Sequence, residues 1–200
     1  MPVLLFCILV CVAILRYKMH SVEKEEQKLE QKYKDLEKKA ALPISRDISQ
    51  LPFITIHLEQ LPFSQNPTGE FKKYETTILD LSKEKICNLN HMSNTDLRLT
   101  YGAKNFKKLA AYDQNYNILL LTLANWGTFL YEKNLDKEAC MVLNYAVSLS
   151  TDIRKTYTTL AKIYKRHDEI NRIYELLSIV ETIDAKLDLK KAIYDVLNEC

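Results

Sequence analysis

The sequence predicts a mainly α-helical protein, and three observations carry that expectation. Its 200 residues include three glycines and five prolines, where ordinary usage would supply about fourteen and about ten, so the raw material for hairpin turns is scarce. Beyond residue 68, apolar side chains recur at three-four spacing over most of the chain, the period of a helix with one buried face. Residues 20–40 set acids and lysines at helical spacing, which favours an exposed helix. With 47% hydrophobic residues the chain can bury one real core, which excludes disorder throughout. Lys and Arg number 28 against 26 acids, a formal charge of +2, so there is no global basic field and nucleic acid is not an expected partner.

The N-terminus reads as a membrane anchor over residues 1–19. From Pro2 to Leu15 there is no charged residue, and Arg16-Tyr17-Lys18 closes the run. At about 1.5 Å per residue that run reaches roughly 21 Å, short of a bilayer core of about 30 Å, and Met1, Tyr17, Met19 and a snorkelling Arg16 extend it. A secretory signal would place its basic residues before the run and a small-residue cleavage site after it; here the exit is Ala-Ile-Leu-Arg-Tyr-Lys, so an uncleaved single-pass span is expected rather than a clipped signal or a buried core helix. Arg16, Lys18, Lys24 and Lys28 all follow the run, which puts the rest of the chain on the cytoplasmic side. Cys7 and Cys11 sit within it, leaving Cys87, Cys140 and Cys200 as an odd set with no disulfide-scaffold spacing.

Residues 20–42 are expected to form a charged helical stalk, with pairs such as Glu30 with Lys34 and Asp35 with Lys39. Val22, Leu29 and Leu36 recur every seven residues, but Glu26 and Tyr33 fill the intervening seam, so a coiled coil is under-supplied with apolar knobs. Residues 43–67 hold four of the five prolines and Leu-Pro-Phe twice, which excludes a continuous helix. There Ile54, Ile56 and Leu58 alternate with Thr55, His57 and Glu59, the period of an extended chain with one apolar face. This segment is expected to lie across a helical body with Phe53 and Phe63 as plugs, capture by a partner's sheet edge being the alternative. Residues 68–116 supply N-terminal helices and a loop. Phe71, Tyr74, Ile78, Leu81 and Ile86 predict a helix ending near Asn88 to Asn90, while 93–116, with cap-favouring Ser93 to Asp96 and with Gly102, stays open.

From residue 117 to 184 the chain repeats itself at a displacement of about thirty-four residues. Leu123 then falls on Tyr157, Trp126-Gly127 on Leu160-Ala161, Leu130 on Tyr164, Ala139 on Ile173, Leu143 on Leu177 and Ala146 on Val180. Small Gly127, Ala139 and Ala146 let two antiparallel helices approach, and bulky Leu123, Trp126, Leu130 and Leu143 fill the flanks. Each pair leaves an apolar side uncovered, and residues 185–200, with Leu187, Leu189, Ile193, Tyr194 and Leu197 apolar, suit a capping helix. Residues 43–200 are accordingly expected to form one domain.

This pattern resembles the tetratricopeptide repeat: a bulky residue, a bulky-small pair and a third bulky residue on one helix, then Ala, a large apolar residue and Ala on the next. The second copy departs from it at Ile173 and Val180. The resemblance implies antiparallel helix pairs in an α-solenoid fragment, with the first helix of each pair lining a concave groove. On the first helix of the second copy, Lys155, Lys162 and Arg166 fall on one stripe with Thr158 and Thr159 between them; Asn125, Thr128 and Tyr131 occupy the matching helix of the first copy. The resemblance implies a groove that grips an acidic peptide segment or a C-terminal carboxylate. An ordinary solvated basic face is the plainer reading.

No assembled catalytic motif stands in the sequence: His20, His57, His91 and His167 form no His-Glu-x-x-His, and there is no Gly-rich phosphate loop, Cys-x-x-Cys or Gly-x-Ser-x-Gly. Cys87 and His91 would share a helix face, yet two ligands are not a zinc site. Trp126 and Cys140 read as packing residues. The expectation is a non-enzymatic adaptor, without cofactor or metal, that is anchored in the membrane and binds a protein or acidic peptide at the cytoplasmic face. The alternative is a structural membrane protein whose stalk and helical head self-associate in an envelope or organelle assembly.

Overall fold

The computed structural model describes the backbone of residues 2–65, 68–183 and 186–198, and within these the side chains of all but 2–15, 17, 21, 186 and 187. Among the described residues there are eight α-helices and no strand. They group into two compact units, residues 1–50 with 90–109, and residues 51–89 with 110–200.

In the first unit, α1 (Pro2–Ala40) carries both the apolar N-terminal run and the expected stalk. The expected ion pair forms, with Lys34 Nζ 2.6 Å from Glu30 Oε1, while Asp35 instead accepts from the Gln31 amide. Within the run expected as the anchor, residues 1–19, only the side chains of 16, 18 and 19 belong to the described set, so that expectation lies largely outside the described residues. Among those described, no helix is long and apolar enough to cross a membrane. Ser93 and Asp96 form a reciprocal cap that opens α3 (Asn94–Tyr101), as their side chains favour, and Gly102 ends it at φ 89°. A β-carbon at Gly102 would stand 2.2 Å from the Ile44 carbonyl oxygen, so the loop after α1 passes this point only because the side chain is absent. Asn105, nearly buried, donates to the carbonyls of Arg46 and Tyr101 at 2.6 and 2.9 Å and pins that loop to α3.

In the second unit, residues 51–63 run extended, broken by a 3-10 turn at Leu58–Gln60. Ile56 is buried while Thr55 and His57 are exposed, the alternation expected, although the segment joins no sheet. Its backbone is satisfied otherwise: Ile54 N–H donates to the Ile86 carbonyl and His57 N–H to the Tyr145 hydroxyl, both at 2.9 Å. Phe53 packs edge-on to Tyr112 and Phe63 tilts against Trp126, each with centroids 5.6 Å apart.

Helix α2 (Gly69–Leu81) stops well before the expected end near Asn88 to Asn90. Ile86, Cys87 and Leu89 are buried in an extended connection instead. The Ile86 carbonyl takes the Ile54 N–H, and the N–H groups of Cys87 and Leu89 go to the Tyr112 carbonyl and the Asp113 carboxylate. Those non-local bonds satisfy the backbone that a longer helix would have satisfied locally. The next helix, α4 (Phe106–Glu132), also begins earlier than the repeat expected from Asn117.

The thirty-four-residue displacement recurs in the helix ends and turns, which is compatible with a helical repeat. Helices α4 and α6 (Arg154–Arg166) end thirty-four residues apart, and α5 (Asp136–Ser148) and α7 (Ile170–Val180) begin thirty-four apart. Both inter-helix turns put one residue in the left-handed region, Asn134 at φ 59° and Asp168 at φ 58°, residue types that tolerate it. Both turns close with corresponding bonds: Leu135 N–H to Leu130 carbonyl at 3.0 Å, and Glu169 N–H to Tyr164 carbonyl at 2.8 Å. Gly127 meets Leu143 as expected, and Trp126, Ala139, Leu143, Ala146, Ile173 and Val180 are all 0% exposed.

Helix α8 (Lys186–Asn198) lies against α6 and α7. Leu189 and Ile193 are buried as expected, joined by Ala192 and Val196, while Tyr194 faces outward at 46% exposure; Leu187 lies outside the described side chains. Lys165 donates to the carbonyls of Val196 and Leu197, placing a cation at the α8 C-terminus where the helix dipole favours it.

Candidate functional site

The basic stripe takes shape because α6 buries one face completely. Thr156, Tyr157, Leu160, Ala161, Ile163 and Tyr164 go into the core, which leaves Lys155, Lys162 and Arg166 exposed on the opposite side with Thr158 half-buried between them. Helix α4 stands beside this stripe. Lys155 Nζ donates to Asn125 Oδ1 at 3.4 Å, and the Arg166 guanidinium sits 4.3 Å over the Tyr131 ring. Thr128 donates to the Ala124 carbonyl, so in its 3.3 Å contact with Thr159 the Thr159 hydroxyl is the donor. All eight residues named for the groove therefore lie on two neighbouring helices. Thr158 turns its hydroxyl back to the carbonyls of Arg154 and Lys155, so it lines the surface without offering that donor outward.

One residue of the site escaped the sequence. Asp136, at the start of α5, accepts from Arg166 Nη1 at 2.9 and 3.0 Å, and its second oxygen lies 2.8 Å from His167 Nε2. Its side chain is 14% exposed against 40% for Arg166, so this pair is screened less than an open surface bridge. Arg166 is thus held and largely neutralised, while Lys162 has no hydrogen-bond or ion-pair partner among the described residues. The stripe presents one open cation, one tethered to an amide and one stacked on an aromatic ring.

Asp136 and His167 also border a cavity of about 430 Å³ that Cys140, Asn144, Ile163, Glu169 and Arg172 complete. Burial pushes the Cys140 thiol up to about 11, and the Arg172 charge acts in the other direction. That is the reverse of an activated nucleophile, whose thiolate must be populated near neutrality. The protonated thiol therefore contributes stability below its ordinary value of 9.0, and that contribution fades as pH rises through about 11. At pH 8 the native thiolate fraction is about one in a thousand. Peptide-resolved alkylation should leave Cys140 unmodified in the folded chain at that pH and modify it after denaturation; fast native labelling would overturn the assignment.

Cys87 is buried and His91 exposed, and neither lies in a helix, so the shared helix face expected for the two does not form. Among the described residues no group of three His, Cys, Asp or Glu side chains is placed to hold a metal. Trp126 is fully buried and acts in packing. No family model, curated protein or solved structure matches the chain.

Proposed function

We propose that the chain is a membrane-anchored, non-enzymatic adaptor whose tetratricopeptide-like helix pairs offer the α4 and α6 surface to an acidic protein or peptide at the cytoplasmic face. The observation that supports this reading best is the open ammonium of Lys162, flanked on one helix by Lys155 and Arg166 and faced by Asn125 and Tyr131. Cations and amides fixed on rigid helices suit capture of carboxylates, because the helices hold donors in place before the partner arrives. The thirty-four-residue register of turns and helix ends supports the likeness to tetratricopeptide repeats. The test is a fluorescence-anisotropy titration of the full chain in detergent with an Asp/Glu-rich peptide bearing a free C-terminal carboxylate, against a Lys/Arg-rich peptide of equal length. Preference for the acidic peptide, weakening with salt, is the expected result, and equal binding of the two would remove the proposal.

The anchor belongs to the same proposal and rests on the uncharged run from Pro2 to Leu15. Removing residues 1–19 should release the chain from membranes with its helical circular dichroism intact, since charged residues follow from position 20 onward. Aggregation or loss of helix would make the run part of a core. Exposed Val22 and Leu29, each at 54% and seven residues apart along α1, favour a second reading as a self-associating scaffold; sedimentation of the same truncated chain distinguishes it by a concentration-dependent mass.

A further inference from the structure

Three cations converge in the first unit without a carboxylate among them. Lys39 in the last turn of α1, Arg46 in the following loop and Arg98 on α3 line a cavity of about 190 Å³. None of the three is ion-paired among the described residues. The Arg46 guanidinium donates once among the described residues, to the Thr100 carbonyl at 3.1 Å, and Arg98 stacks 4.2 Å over the Phe106 ring. A guanidinium carries five N–H donors, so both keep most of theirs for something else. Like charges gathered in a partly enclosed space repel, and an anion between them relieves that repulsion.

The rest of the lining is apolar and open. Leu42 and Ile44 are 50% and 44% exposed and border the same cavity. The space exists because Gly102 lacks a side chain where one would meet the Ile44 carbonyl at 2.2 Å, and because Asn105 holds the Arg46 carbonyl at 2.6 Å. Its walls are therefore set by backbone as much as by mobile side chains. At about 190 Å³ it is smaller than the ~300 Å³ at which ordinary small-molecule pockets begin, so it admits a compact head group and no folded peptide. Arginine forks match phosphate geometry better than they match a point charge. Exposed leucine and isoleucine beside them suit an apolar remainder attached to that head.

We propose that this cavity binds the phosphoryl group of an anionic amphiphile, with Lys39, Arg46 and Arg98 on the phosphate and Leu42 and Ile44 against the attached apolar portion. The assignment stands on the geometry of this unit alone, so it survives or fails independently of the adaptor reading. The test is native mass spectrometry of the full chain in detergent, titrated with phosphatidylglycerol and, separately, with phosphatidylcholine. One phosphatidylglycerol per chain should be retained at least about tenfold better than phosphatidylcholine. Lys39→Gln, which disturbs no interaction seen in the structure, should reduce that preference about fivefold, and Arg46→Gln with Arg98→Gln should abolish it. Lys162→Gln, in the other unit, should leave it unchanged. Displacement of the lipid by millimolar inorganic phosphate would assign the site to a free phosphate monoester, and retention in its presence to a lipid head group. Equal binding of the two lipids with no effect of inorganic phosphate, or a preference untouched by Lys39→Gln and by the double variant, would overturn the proposal.

Discussion

Gly127→Ala should destabilise the protein by about 1–2 kcal/mol, although the same change in most helices would do the opposite. Inside a helix Ala is favoured over Gly by about 1 kcal/mol, and Gly127 lies in the interior of α4. Against that gain stands Leu143 of α5, whose Cγ and Cδ2 would both be 2.4 Å from the new β-carbon. Leu143 is 0% exposed, so its side chain has no open space to swing into; overpacking a filled core costs about 1–3 kcal/mol, and with the branch-point Cγ in the clash the cost falls in the upper part of that range, leaving about 1–2 kcal/mol net of propensity. Leu143→Ala alone should cost about 2–5 kcal/mol by leaving a cavity. In the double variant the new methyl partly fills that cavity, so the two effects should sum to less than their parts by about 1–2 kcal/mol. Chemical denaturation of the four proteins of this cycle is the measurement. A Gly127→Ala variant as stable as the parent, or additivity in the double, would mean that α4 and α5 do not meet at this point, and the repeat pairing would fall with it.

The same contact shows what the sequence exposes and what it hides. Gly127, Ala139 and Ala146 are legible because close helix approach leaves a mark on residue size that survives without coordinates. The turn between helices is marked too, at Asn134 and Asp168, but the mark is a backbone angle that Asn and Asp merely tolerate, so it becomes evident only once both turns adopt it thirty-four residues apart. Ile86, Cys87 and Leu89 misled the reading of α2 for a physical reason. A buried extended connection needs apolar side chains as a helix face does, and over a few residues the two periods look alike. What decides between them is the partner of Ile86, the N–H of Ile54, far back in a segment whose own alternation gives no hint of where it docks. Ser93 and Asp96 carried a sound start signal, whereas the role of Gly102 in letting the Ile44 backbone pass is a three-dimensional fact with no local signature.

Asp136 changes what the basic stripe is expected to do. A count of cations along α6 treats Lys155, Lys162 and Arg166 alike, yet the carboxylate thirty residues before Arg166 in the chain accepts two of its contacts. Pairings between repeats arise only when helices are laid side by side, so composition within one helix overstates the charge the surface presents. The tether also fixes the guanidinium over Tyr131, which lowers the entropy a partner would have to remove on binding.

Charge removal from this stripe should therefore weaken binding of an acidic peptide by orders of magnitude, and unequally among its members. Lys162 has no partner among the described residues, so Lys162→Ala removes a charge without orphaning another group, and the fold should be unaffected because a solvated lysine contributes well under about 1 kcal/mol to stability. A cation desolvated against a carboxylate typically costs about 2–5 kcal/mol when truncated, which is roughly thirty-fold to several thousand-fold in dissociation constant. Lys155→Ala and Arg166→Ala should each add to the loss, Arg166→Ala also leaving Asp136 as a carboxylate that repels the acidic probe. Asp136→Asn makes the opposite prediction. It removes the charge that neutralises Arg166 while keeping the size of the side chain, so affinity for the acidic peptide should rise, whereas damage to a merely structural bridge would leave it unchanged or lower it. The titration described above, repeated with these variants at low and at physiological salt, reads both signs. Unchanged affinity for Lys162→Ala together with unchanged affinity for Asp136→Asn would assign the stripe to solvent and turn attention to the exposed face of α1.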